Sequence, residues 1–170
     1  MTLLDAESAE QSGELWRAAV LYEDQLGGAA SNRTLLNLAV LYWQCTDPGV
    51  AAGMGLSADQ MDHASRRTSE LLDEVIRLYP GDTEARFWTR YIRWADLGDP
   101  FTLEEAERFA RTDSSSLIPW MAVLSFSRGE RGVPEAQALL RQLAGDRSTL
   151  AGYARSVVES VLESRRRAPG

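Results

Sequence analysis

"SADQMDHASRRTSELLDEVIRLYPGDTEARFWTRYIRWADLG", residues 57–98, decides the fold. Ser57 is a good N-cap, because its hydroxyl can accept an orphan backbone N–H of a first turn. The helical period that follows stops before Pro80, since proline drives the residue ahead of it out of helical geometry. A second helix is expected over 82–97, ended by Gly98. Two helices joined by so short a turn fold back on one another as an antiparallel hairpin. On a wheel of about 100° per residue, Phe87, Trp88, Tyr91, Ile92, Trp94 and Ala95 fill an arc of roughly 160°. That arc reads as core between hairpins. Arg86, Arg90 and Arg93 gather on the adjoining face, within about 60°.

Helical periodicity continues on both sides of this hairpin, and the apolar/polar alternation that marks strands is nearly absent. Helices are expected over about 2–11, over 13–27 with a break at Gly27-Gly28, and over 32–44 with Ser31 or Asn32 as N-cap. Downstream, Thr102 with Glu105 three residues later gives a capping-box pattern. "SSLIPWMAVLSFSRG" predicts another helix. "VPEAQALLRQLAG" predicts the next, with Pro134 in its permitted first turn. A last helix is expected over about 148–166, with 167–170 as a frayed tail. The exception is "QCTDPGVAAGMGLSAD", residues 44–59. Pro48 and three glycines, costly to order, predict a glycine-rich loop over 45–57 inserted between helices. Val50, Met54 and Leu56 are its expected contact points.

Composition fits one soluble globular domain over 1–170, since 44% of residues are apolar and 25% charged. The single cysteine, Cys45, cannot form an internal disulfide, which suits a reducing compartment. The first residues lack a basic-then-apolar leader pattern. No apolar run approaches the roughly 20 residues that span a bilayer. A cytoplasmic location without membrane contact is therefore expected. The net charge of −7 disfavours nucleic acid. All 18 basic residues are arginine, as codon bias in a GC-rich genome would produce.

Three helices share a pattern. Leu15, Ala18 and Tyr22 stand at offsets zero, three and seven, as do Leu103, Ala106 and Ala110, and Val133, Ala136 and Leu140. These offsets share one helical face, and the central alanine lets a neighbouring helix approach. A hairpin cannot bury such a face alone, so hairpins stack.

"GELWRAAVLYEDQL", "NLAVLYWQ", "LLDEVIRLYPGDTEARFW", "LEEAERFAR" and "PEAQALLRQL" together resemble the tetratricopeptide repeat (TPR) family. Leu38, Ala39 and Tyr42 match the family's first-helix pattern. Gly13, Leu15, Ala18 and Tyr22 match its second-helix pattern, and Pro80 followed by Asp82 and Glu84 matches its unit boundary. The likeness runs over residues 6 to 145. It is degenerate: with Thr68 as the fourth equivalent, positions 18, 68, 106 and 136 are spaced 50, 38 and 30, against about 34 in a regular array. The inserted loop accounts for the first gap. The resemblance implies an all-α array of three to four antiparallel hairpins with a C-terminal capping helix; a generic helical bundle is the alternative.

Catalytic and cofactor motifs are thin. "GVAAGMGLS" lacks the lysine and the preceding strand of a phosphate-binding loop, and "GMGLSA" lacks the last glycine of the dinucleotide pattern. Asp47, Asp62 and His63 make a metal set no better than chance. No metal or cofactor is expected. The expected function is a noncatalytic adaptor, scaffold or subunit of a larger assembly. The family resemblance implies a groove lined by first helices, here Arg33, Asn37, Arg86, Arg90 and Arg93. Its partner would be a protein or peptide, acidic if the arginines clamp carboxylates. The alternative is a small helical enzyme or ligand-binding protein using Cys45 and His63. Arg165, Arg166 and Arg167 read as complements of the last helix's dipole.

Overall fold

A computed structural model of the chain describes residues 3–26 and 30–167. The expected break at Gly27-Gly28 and residues 168–170 of the expected 167–170 tail lie outside them, whereas Arg167 is helical. The described residues form ten α-helices and no strand: α1 Leu3–Gln11, α2 Leu15–Glu23, α3 Asn32–Cys45, α4 Pro48–Met54, α5 Ala58–Leu78, α6 Thr83–Leu97, α7 Leu103–Thr112, α8 Trp120–Phe126, α9 Val133–Gln142 and α10 Thr149–Arg167. The protein is all-α. No helix among the described residues is long and apolar enough to cross a membrane. Packing divides the chain into two compact units, one running to Ala85 and including Ser148–Leu150, the other comprising Arg86–Arg147 and the chain from Ala151 onward.

In the first unit α3 is central. Its sequence, "NRTLLNLAVLYWQC", is apolar nearly all round, as a helix enclosed on every side must be. Every residue from Leu35 to Trp43 is buried. It packs on α2, α4 and α5, while α1 packs on α2. Ser31 caps α3, accepting from Thr34 N at 3.1 Å. Ser57 and Gln60 form a full capping box on α5, with bonds of 3.3 and 2.9 Å. Asp82 accepts from Ala85 N in the first turn of α6 at 2.8 Å and from Asn32 Nδ2 at 2.5 Å.

A buried polar knot joins four helices here. Glu10 and Asn37 are each only 7% exposed. Glu10 accepts from Tyr22 Oη at 2.7 Å, from Asn37 Nδ2 and from Thr149 N. Asn37 Oδ1 accepts from Leu150 N at 3.1 Å. The first N–H groups of a helix have no partner inside it; those of Thr149 and Leu150 are satisfied by side chains from α1 and α3.

The expected glycine-rich loop over 45–57 is instead the helix α4. Asp47 caps it, accepting from Gly49 N and Val50 N at 2.8 and 2.9 Å. Pro48 takes the first turn, where its missing N–H costs nothing. Gly55 ends the helix in the left-handed region at φ +66°, and Leu56 N reaches back to Ala51 O at 3.0 Å. The glycines are spread over a first turn, an interior position and a C-terminal cap, and only Gly53 weakens the helix interior. Val50, Met54 and Leu56, the expected contact points, are half-buried.

In the second unit, α7 packs on α8 and α8 on α9. The apolar arc of α6 meets rings from three other elements. Phe87 lies 5.9 Å from Phe109, Trp94 4.8 Å from Phe126 and Trp88 6.0 Å from Tyr153. Ala95, at the edge of the expected arc, is exposed. Tyr91 and Tyr153 share a hydrogen bond of 3.0 Å, whereas the indole Nε1 of fully buried Trp88 has no partner. Only half of the capping box expected at Thr102 forms. Thr102 accepts from Glu105 N at 3.2 Å, but the Glu105 carboxylate is taken by Arg90. The α8–α9 turn relies on Gly132, at φ +75°, where a Cβ would stand 2.9 Å from Trp120 Cε3.

Candidate functional site

The residues expected to line one groove are nearly all engaged by the protein itself. Asn37 is not on a surface; it belongs to the buried knot with Glu10. Arg33 pairs with Glu84 at 3.0 Å. Arg90 binds both carboxylate oxygens of Glu105, at 2.7 and 3.3 Å, donates to Pro100 O, and lies over the Phe101 ring at 5.2 Å from its centroid. Arg93 pairs with Asp99 at 3.0 Å. Arg86 is exposed. Arg33 and Asn37 belong to the first unit and Arg86, Arg90 and Arg93 to the second. Three of these four arginines are therefore held by acids of their own unit, and Arg90 serves as an internal clamp.

Chemistry-bearing side chains converge instead on one face of the first unit. Trp16 of α2, Tyr42 of α3 and His63 of α5 form a triangle of edge-on rings, with centroids 5.8 to 6.0 Å apart. Tyr42 is buried, Trp16 half-buried and His63 exposed. One turn along α5, Arg67 forks onto Glu23 of α2, Nε to Oε1 at 2.7 Å and Nη2 to Oε2 at 3.1 Å, and reaches Glu70 at 2.6 Å. Burial holds the Tyr42 hydroxyl well above the ordinary phenol range, the Glu23 carboxylate adds to this, and Arg67 partly offsets it. The hydrogen bonds that Arg67 donates to Glu23 hold it firmly charged against the cost of its partial burial. The face is thus pre-ordered, with aromatic edges beside a neutralised ion pair.

Cys45 is fully buried on α3, and burial pushes its thiol up to about 12. A thiol so protonated is a poor nucleophile at neutral pH. His63 spends its ring on Trp16 and Tyr42. Among the described residues no group of three or more His, Cys, Asp or Glu side chains is placed to hold a metal ion. A polar cleft of about 340 Å³ lies between α1 and α2, lined by Asp5, Ser8, Ser12, Glu14 and Arg17. Its charges are largely spent: Glu14 accepts from Arg17 at 2.9 Å and from Ser12 at 3.0 Å.

Compared with protein-family models, characterised proteins and solved structures, the chain gives no match. The α2/α3/α5 face was only partly visible in the sequence. Tyr42 stood out through the family pattern and His63 as the lone histidine. The Glu23–Arg67 fork spans 44 positions, and no local spacing announces it.

Proposed function

We propose that this chain is a noncatalytic protein-interaction module, a degenerate TPR-like helical array acting as an adaptor, a scaffold or an assembly subunit. The observation that supports it most is the order of packing within each unit. α1 packs on α2, α2 on α3 and α3 on α5, and in the other unit α7 on α8 and α8 on α9. The small mid-helix residues expected at the contacts are buried: Ala18, Ala106 and Ala136 at 0% exposure and Thr68 at 4%. Stacking of this kind leaves long helical faces to solvent, and repeat proteins use such faces for binding.

The contact surface proposed is the α2/α5 face around Trp16 and His63. Rigid, half-exposed aromatics are common anchors of binding, and the ordered ion pair beside them limits the entropy lost on docking. The first unit holds five arginines against fourteen acids, a net −9. An acidic segment is therefore a poor fit on this side, and a neutral or cationic one fits better. The test compares affinity capture by the unaltered protein and by a Trp16→Ala, His63→Ala double variant, Trp16 being half-buried and His63 exposed. A partner retained by the former and lost by the latter, with circular dichroism unchanged, is the expected result. Equal capture by both removes the surface from consideration.

A further inference from the structure

Arg128 sits in the turn between α8 and α9 with φ +53°, the one non-glycine at positive φ among the described residues. A side chain there costs conformational energy that glycine would avoid. Local strain of this kind is retained where surrounding structure or function requires it. The Arg128 side chain is exposed, and among the described residues no hydrogen bond or ion pair engages it. The last turn of α10 lies against the same turn: a Cβ on Gly129 would stand 3.2 Å from Cδ of Arg165. Arg165 and Arg166 are also exposed and, among the described residues, without partners.

Neighbouring acids do not balance this cluster. Arg131 of the same turn and Arg111 share one carboxylate, Glu107, each at 2.9 Å. Glu163 is taken by Arg167. Glu130 is the exposed acid left in the turn. The second unit holds thirteen arginines against eleven acids, a net +2, inside a chain whose net charge is −7.

We propose that Arg128, Arg165 and Arg166 form a docking point for an acidic peptide segment of a partner protein. The guanidinium fork matches a carboxylate in two parallel bonds, and three unspent forks at one end of the unit suit a run of Asp or Glu. A nucleic acid is a poorer occupant, because the chain as a whole repels a polyanion of that charge density. A second copy is poorer too, since no stretch of this sequence carries more than two consecutive acids. The docking point is separate from the α2/α5 face and stands whether or not that face binds.

The experiment titrates a labelled hexaglutamate peptide into the full chain and follows fluorescence anisotropy, in parallel with an oligothymidylate of matched charge. Arg128→Gly removes the guanidinium and relieves the backbone, so it should melt at or above the unaltered temperature. Arg165→Gln keeps most of the stem that packs on Gly129. Saturable peptide binding that weakens at least tenfold in the double variant, and falls with added salt, is the expected result. Equal affinity in both proteins, no binding at millimolar peptide, or tighter binding of the oligothymidylate would each overturn the assignment.

Discussion

Asn37 donates from Nδ2 to both carboxylate oxygens of Glu10, at 3.0 and 3.3 Å. The pair closes a knot that also takes Tyr22 and the first turn of α10. Removing one member strands the others away from water, and a stranded buried donor costs about 1–3 kcal/mol. Glu10→Ala should lower stability by about 3 kcal/mol, and Glu10→Gln by less, because it keeps an acceptor. Urea denaturation measures both. A loss under about 0.5 kcal/mol for Glu10→Ala, the range of ordinary surface substitutions, would show that the knot carries no stability.

Two glycines should respond in opposite directions. Gly132→Ala places a methyl against Trp120 at a positive φ; strain and overpacking should cost about 1–3 kcal/mol. Gly53 lies within α4, and a Cβ there meets nothing within 4 Å. Gly53→Ala should stabilise the protein by about 0.5–1 kcal/mol. Thermal melts of the two variants decide the matter, and a destabilised Gly53→Ala would contradict the helical reading of α4.

Arg90 and Arg93 share a helix face but not a role. Arg90→Glu would set a like charge beside Glu105 and uncover Phe101; a loss of about 2 kcal/mol or more is expected. Arg93→Glu breaks an exposed pair and should change stability by less than about 1 kcal/mol. Chemical denaturation of each single variant gives the comparison, and equal losses would refute the clamp.

The buried thiol predicts a pH dependence. In the folded chain Cys45 is pushed up to about 12 by burial, whereas an unfolded cysteine ionises near about 8.5. The folded state therefore holds its proton where the unfolded state loses it. That contribution is complete below about pH 8.5 and is lost as pH rises toward 12. Burial also holds Tyr91 and Tyr153 above the ordinary phenol range, which steepens the fall above about pH 10. The denaturation midpoint should stay flat from pH 7 to 8 and decline above 9, and Cys45→Ala should decline later. A thiol that alkylates at pH 7.5 as fast as free cysteine would contradict its burial.

Much of the fold was legible in the sequence, because caps and breakers act locally. Ser31, Ser57, Pro80, Thr102 and Pro134 mark helix boundaries through chemistry confined to a single turn. The errors have a common cause. Glycine content outweighed the Asp47–Pro48 start signal of α4, and the Thr102–Glu105 pattern could not reveal that Arg90 takes the carboxylate. Asn37 looked like a groove residue because its helix offers no sign that Glu10 lies above it. The interactions that decide the candidate site, Glu23 with Arg67 and Trp16 with His63, join residues far apart in the chain. A single sequence carries no local trace of them.

The unequal division of charge means that the isoelectric point of about 4.8 expected from the sequence averages two unlike bodies. Near that pH the molecule is neutral only in sum, with an excess of carboxylates in one unit and an excess of arginines in the other. An anion exchanger should therefore retain the protein through its first unit even where bulk mobility vanishes, and a cation exchanger through its second. In a cell the same molecule can present opposite signs to different neighbours.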